Sequence, residues 1–242
     1  MTVVEHALVC EGPDDFAAIR AIFRHWGLEQ DASHEPKSAF WRADGVRVRV
    51  LMAEGKDDLA RRMTMVPSAA VRPDLVGISF DPDDTTKARE RDFFRVDLAK
   101  QPHAGELELD ASSDARWKAY KRTVVVVFGP WREPTGFLKD ALPGEHHSLE
   151  RVLLSGLWTV LDGPEQRWLE SAMTEVGKVK PNPKHRWKQA LHLANTLLEP
   201  SVGGPAFVDR LLQSERTKHA CLRALLASDA VSMLERVAGR AT

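Results

Sequence analysis

The sequence predicts an α/β fold: a central parallel-rich sheet of about four strands flanked by helices, with a helical C-terminal part. Three observations predict it. A strand, an acidic turn and a helix follow one another at the start of the chain and then recur, the order that builds parallel sheets. The run Val124 to Phe128 has the continuous apolarity of a strand buried on both faces. Beyond His147 the apolar spacing turns helical and stays so, which divides the chain into an α/β core at 1–147 and a helical part at 148–242 packed on or beside it.

The first strand runs from Val3 to Cys10, where Val3, Val4, Ala7, Leu8 and Val9 are apolar. It leads into Glu11-Gly12-Pro13-Asp14-Asp15, after which Ala17, Ala18, Ile19, Ile22, Phe23 and Trp26 recur at helical spacing until Gly27, a C-cap residue. The unit then repeats. Val46 to Ala53 reads as a strand, Glu54-Gly55-Lys56-Asp57-Asp58 as a turn, and Leu59 to Val66 as a helix. The two turns are near copies because glycine permits a tight exit from a strand and paired acids favour the head of the next helix. The third strand is Val76 to Phe80, with a charged helix from Thr86 to about Ala99, and the fourth is Thr123 to Gly129. Glu106 to Asp110 alternates apolar and acidic side chains and adds an edge strand, and Pro130 to His147 reads as loop. Helical faces follow over Leu149 to Trp158, around Trp168 to Met173, and over Lys184 to Leu198, Pro205 to Gln213 and Thr217 to Val237, with a loop from Val179 to Pro183.

With 242 residues, 43% hydrophobic and 29% charged, the composition is that of a globular protein and not of a disordered one. No apolar run approaches the roughly 20 residues of a membrane span, and the first residues lack the pattern of a signal peptide, so a cytoplasmic address is expected. Cys10 and Cys221 form no CxxC pair and read as reduced, buried thiols. The net charge of -1 conceals an asymmetry: residues 1–114 carry 15 Lys and Arg against 22 Asp and Glu, and residues 115–242 carry 19 against 13. The acidic half suits cations and the basic half a polyanion.

The chemistry is concentrated in Val76 to Asp84, an apolar strand that ends in Asp81, Asp83 and Asp84. Pro82 forces an extended or turn conformation at Asp81, so the strand stops there and its acids stand at the C-terminal edge of the sheet, where open α/β sheets bind ligands. Carboxylates crowded there repel unless a cation neutralises them, and oxygen donors without imidazole or thiolate suit Mg²⁺ or Mn²⁺. The plainer reading is that Asp83 and Asp84 cap the next helix.

Glu11 after the first strand and Asp81-Pro82-Asp83 after a later one resemble the Toprim domain, with its Glu after one strand and DxD after another. That family is shared by topoisomerases, bacterial primases, OLD-type nucleases and small ribosomal-RNA maturases. The likeness extends to small stand-alone Toprim-like bacterial proteins, in which a segment like Pro183 to Gly204 also follows the core. It implies that Glu11, Asp81 and Asp83 hold a catalytic metal, with Glu11 as the alternative general base. It places a further acid at Asp15 and another on a later helix at Glu150, giving a second metal site. Lys184 or Lys188 fills the place of the lysine that stabilises the transition state in OLD-like nucleases, and a nuclease acting on DNA in preference to RNA is implied. OLD-type enzymes carry an ATPase in the same chain, whereas this sequence has no GxxxxGK[ST] loop, so a separately encoded ATPase and a role in phage defence are expected.

The residues themselves suggest where a strand would lie. Lys178, Lys180, Lys184, Arg186 and Lys188 occupy a stretch free of acids from Val176 to Leu198, with Trp187 interleaved, which suits phosphates and an unstacked base. The alternative is a solvated face with Trp187 buried. Glu54 reads as a capping acid, and His146 and His147 as solvated loop residues. Two other functions compete. Asp81-Pro82-Asp83-Asp84-Thr85 also resembles the DxDxT signature of haloacid-dehalogenase-like phosphatases, with Asp81 as nucleophile. That family begins with this strand and needs a later strand ending in acids, whereas the downstream strand ends Phe128-Gly129-Pro130-Trp131. A Toprim-like fold that binds nucleic acid or an ATPase without turnover is the other.

Overall fold

The computed structural model describes residues 3–31, 37–66, 73–82, 107–109, 114–119, 122–133, 147–179, 183–198 and 207–240. The helix expected from Thr86 to Ala99 and most of the Pro130 to His147 segment lie outside them, as do Asp83 and Lys180; Lys184 is described only as a backbone position. The chain forms two compact units. One comprises Met1–Phe80, Thr85–Pro130 and Ala230–Thr242, and the other Asp81–Asp84 and Trp131–Asp229. The division therefore falls at Pro130 rather than at His147, and the last helix belongs with the sheet.

The first unit is α/β, as its strand–turn–helix repeats predict. Its described elements are β1 (Val4–Cys10), α1 (Pro13–His25), β2 (Glu29–Gln30), β3 (Ser38–Ala43), β4 (Val46–Met52), α2 (Lys56–Met65), β5 (Leu75–Phe80), β6 (Leu107–Leu109), β7 (Asp114–Ala119), β8 (Arg122–Pro130) and a final helix, Ala230–Val237. The strands form one sheet in the order β2-β3-β4-β1-β5-β8-β7-β6. The four strands read from the sequence are the parallel centre, with β1 between β4 and β5, and β8 on the far side of β5. The expected edge strand is β6, paired antiparallel with β7. β2, β3 and β7 extend the sheet beyond the sequence expectation, all by antiparallel pairing.

Period-two alternation gives the sheet two apolar faces. On one, Ala7, Val9, Leu51, Val76, Ile78, Phe80, Val124 and Val126 form a buried cluster with Leu59, Ala60 and Met63 of α2. On the other lie Leu8 and Gly77, where a Cβ added to Gly77 would stand 2.5 Å from Met233 Sδ and 2.7 Å from Val237 Cγ2. Gly77 thus leaves the room that Met233 and Val237 of the last helix occupy beside β5. His6 Nδ1 holds the end of that helix through Val237 O at 2.7 Å.

The second unit is helical: α3 (Leu149–Trp158), α4 (Gly163–Val179), α5 (Pro183–Leu198), α6 (Phe207–Leu211) and α7 (Lys218–Leu226). The Ala230–Val237 helix of the first unit is then α8. α3 is apolar almost all round, and Leu149, Val152, Leu153, Leu154 and Leu157 are all buried, as befits a helix packed by both α5 and α7. The sequence predicts one helix from Thr217 to Val237, but α7 and α8 are separate. α7 stops at Ala227, where Ser228 Oγ turns back to Leu225 O and Asp229 N–H bonds Arg132 O instead of continuing the helix. Among the described residues, no helix is long and apolar enough to cross a membrane.

Candidate acidic site

Glu11 leaves the end of β1, and Gly12, in extended backbone, starts α1 with Pro13 in the first turn, whose fixed φ suits that position. Asp14 and Asp15 fall in the same turn, where the helix dipole favours acids. Asp15 is buried and its Oδ1 lies 3.5 Å from Ser79 Oγ on β5. The neighbouring turn supports this exit. Ala53 N–H bonds Cys10 O at 2.8 Å and Gly55 N–H bonds Glu11 O at 2.9 Å, so the backbone at Glu11 is held on both sides of the strand end. Gly55 has φ 102°, a conformation that suits glycine.

In the second acidic turn Glu54 precedes the Gly55 N-cap, so it stands outside the first turn of α2, where Asp57 and Asp58 lie, and is not the capping acid the sequence predicts. Glu54 pairs with Lys37. Asp58 accepts from Glu54 N at 3.1 Å and takes the guanidinium groups of Arg61 at 2.6 Å and Arg62 at 3.0 Å. Partial burial pushes the Asp58 carboxyl up, but the hydrogen bonds and charges of the two arginines outweigh it, and the net shift is downward.

At the end of β1, Cys10 reports the local field. Its thiol is fully buried and is driven well above its ordinary range, first by burial and then by the charges of Asp15 and Glu11. The neutral thiol is favoured there, with Sγ 3.6 Å from Leu51 O. Cys221, also buried, is pushed up to about 12 by burial.

In the helical unit, Asp81 Oδ1 accepts the Leu149 amide of α3 at 2.7 Å. Ser148 is the N-cap, and its side chain accepts from Arg151 N. Asp81 thus shares in satisfying the open donors of the helix head. The next residue, Glu150, forms an ion pair with Lys188 of α5 at 3.2 Å. The structure therefore brings together two residues that the resemblance casts as metal ligand and transition-state lysine.

Trp187 is not a platform for a base. It is buried, because Trp187, Ala190, Leu191, Ala194 and Leu198 form the inward stripe of α5. Lys178 stands on α4 and pairs with Glu175 at 2.6 Å, while Arg186 is half-buried and Lys188 exposed on α5. The basic stretch is thus divided between two helices.

Sequence reasoning missed a buried pair. Arg151 and Glu133 approach to 3.9 Å with side chains 4% and 1% exposed, and the Arg151 guanidinium lies over the Trp187 ring, 4.9 Å from its centroid. The signal was present: Arg151 is a lone cation in the apolar run of α3. His147 is also not the solvated residue expected. It is half-buried, and burial, followed by the charges of Arg151 and Arg132, lowers its pKa from 6.5 to about 4, against the smaller opposing pull of Glu133 and Asp229. Since the unfolded chain binds this proton first, stability is complete above pH 6.5 and falls as pH drops toward 4. His147→Asn should flatten that part of a melting-temperature profile; an unchanged acid slope would assign it to other groups.

No protein-family model and no curated protein matches this chain. A hypothetical protein from Pyrococcus horikoshii OT3 shares the fold. Its solved structure superposes with a TM-score of 0.62 over 97% of this chain and 99% of that one, at 16% sequence identity. The likeness is one of fold.

Glu11, Asp15, Asp81 and Glu150 carry carboxylate oxygens, the donor type that hard divalent ions take, and Asp15 and Glu11 lie close enough to Cys10 for their charges to raise its pKa. Among the described residues no three His, Cys, Asp or Glu side chains close around one point; Asp83, the expected third member beside Glu11 and Asp81, lies outside them.

Proposed function

We propose that this protein is a metal-dependent nuclease of Toprim-like type that cleaves phosphodiester bonds, in DNA in preference to RNA, with Mg²⁺ or Mn²⁺. The observation that carries the reading is the parallel pairing of β1 with β5, in which Cys10 is the register partner of Ser79. The two strands end at the same edge of the sheet, and the sequence continues from one into Glu11 and from the other into Asp81. On this reading the protein works in the cytoplasm on nucleic acid, with a separately encoded ATPase as partner.

Glu11, Asp81 and Asp83 would hold the ion, with Asp15 and Glu150 available for a second. When bound, the ion would supply Lewis-acid stabilisation of the charge that builds on the phosphate oxygens. The chain's own groups then have distinct tasks. The Leu149 amide orients Asp81, the turn at Gly55 fixes the backbone of Glu11, and Lys188 offers an ammonium to a phosphate.

Supercoiled plasmid incubated with Mn²⁺ or Mg²⁺ should be nicked. Glu11→Ala and Asp81→Asn should each reduce nicking by about 100-fold; the asparagine keeps an oxygen for the Leu149 amide and so separates loss of charge from loss of the cap. Nicking that survives both substitutions, or proceeds in excess chelator, would remove the assignment. Strand binding without cleavage under any metal would favour the non-catalytic alternative.

A further inference from the structure

We propose that α4 and α5 form a self-association surface: Trp168 of one copy of this chain seats in the α4–α5 groove of a second copy, which returns its own Trp168 in the same way. The inference does not depend on the nuclease reading.

Residue spacing sets the surface. Trp168, Ala172, Val176 and Val179 recur three or four residues apart on α4 and so share one flank of the helix. Leu169 and Met173 beside them are wholly buried, but the flank itself is not used up within the unit. Trp168 is 47% and Val179 78% exposed, and among the described residues these are the large apolar side chains that stand exposed on helices. At its Val179 end the flank opens into a groove of about 510 Å³, lined by Glu175, Val176 and Val179 of α4 and by Gln189, His192 and Leu193 of α5.

Knob and groove match in chemistry. An indole is a flat apolar body with a single N–H donor, which needs an acceptor once it is buried. Val176, Val179 and Leu193 supply the apolar walls, and Gln189 Oε1 is a buried acceptor with no hydrogen-bond partner among the described residues. Leaving such a group unpaired is costly. The indole N–H of an incoming Trp168 satisfies it. The charges agree as well: Arg167 adjoins the knob and Glu175 lines the groove, so antiparallel α4 helices bring opposite signs together.

The arrangement also closes on itself. Trp168 and Val179 lie about 16 Å apart along one helix, at 1.5 Å per residue. A two-fold axis between them lets each copy give one knob and receive one. A free ligand in the groove would leave Trp168 in water, whereas a second copy covers both features together.

Multi-angle light scattering of the full chain at high micromolar concentration should give twice its 27.1 kDa. Trp168→Glu and Val179→Glu replace exposed side chains, and each should give a monomer with unchanged circular dichroism. Trp168→Phe keeps a ring without the donor and should weaken the dimer about fivefold, as should Gln189→Met, which removes the acceptor. A monomeric wild type overturns the proposal, whether or not its groove then takes free indole. A dimer that survives Trp168→Glu overturns it too, by placing the interface on another face.

Discussion

Glu133→Ala is expected to destabilise the helical unit by about 3–5 kcal/mol, because it removes the carboxylate that faces the buried Arg151 guanidinium. Both members of the pair are almost wholly buried. Burial lowers the pKa of Arg151, and the charge of Glu133 opposes that shift. A chain of this size loses roughly 2–4 °C of melting temperature per kcal/mol, so thermal unfolding should begin about 10 °C lower. The double variant Glu133→Ala/Arg151→Met supplies the control. Replacing a buried pair with apolar groups is often neutral, so the second substitution should restore much of the loss. Two losses that simply add would show that the residues do not act as a pair.

Gly156→Val should also destabilise the helical unit, for a steric reason. A Cβ added at Gly156 would stand 2.6 Å from the carbonyl oxygen of Ala220 and 2.9 Å from its carbonyl carbon. The obstacle is the backbone of α7, which cannot rotate aside as a side chain can, so α3 and α7 must part. Overpacking of this kind costs about 1–3 kcal/mol. Even Gly156→Ala, which gains about 1 kcal/mol of helix propensity, should be net destabilising in thermal unfolding. Ala220→Gly should not rescue either variant, because it removes a methyl group and leaves the carbonyl in place. Rescue would mean that the helices meet through side chains at this crossing.

The parallel centre of the sheet was legible because its strands carry their own signal. β1, β5 and β8 carry apolar runs and β4 alternates valine with arginine before Leu51, each is followed by turn residues, and no distant contact is needed to recognise them. β3 and β7 were not legible. Ser38–Ala43 and Asp114–Ala119 each mix charged and aromatic residues, and they become strands by pairing with β4 and β8. The break between α7 and α8 was hidden for a related reason. Ala227, Ser228 and Asp229 do not forbid a helix, and the bond that ends it goes to Arg132, far away in sequence.

The candidate site divides in the same way. Glu11 and Asp15 could be placed from the strand and helix on either side of them. The pairing of Glu150 with Lys188 could not, because it depends on how α3 and α5 pack. For Trp187 the pattern offered two faces of one helix, and the tryptophan went to the inner one with Ala190 and Leu191.

The β-unit is interrupted in sequence: the chain leaves it after Pro130 and returns at Ala230. During synthesis the ribosome delivers every strand before α8, and the groove over Gly77 and Gly129 waits for Met233 to emerge. About a hundred intervening residues must be translated first, at roughly 5–20 residues per second. For those seconds the strands would wait without the helix that covers Gly77 and Gly129, so completion of the sheet unit is tied to translation of α8.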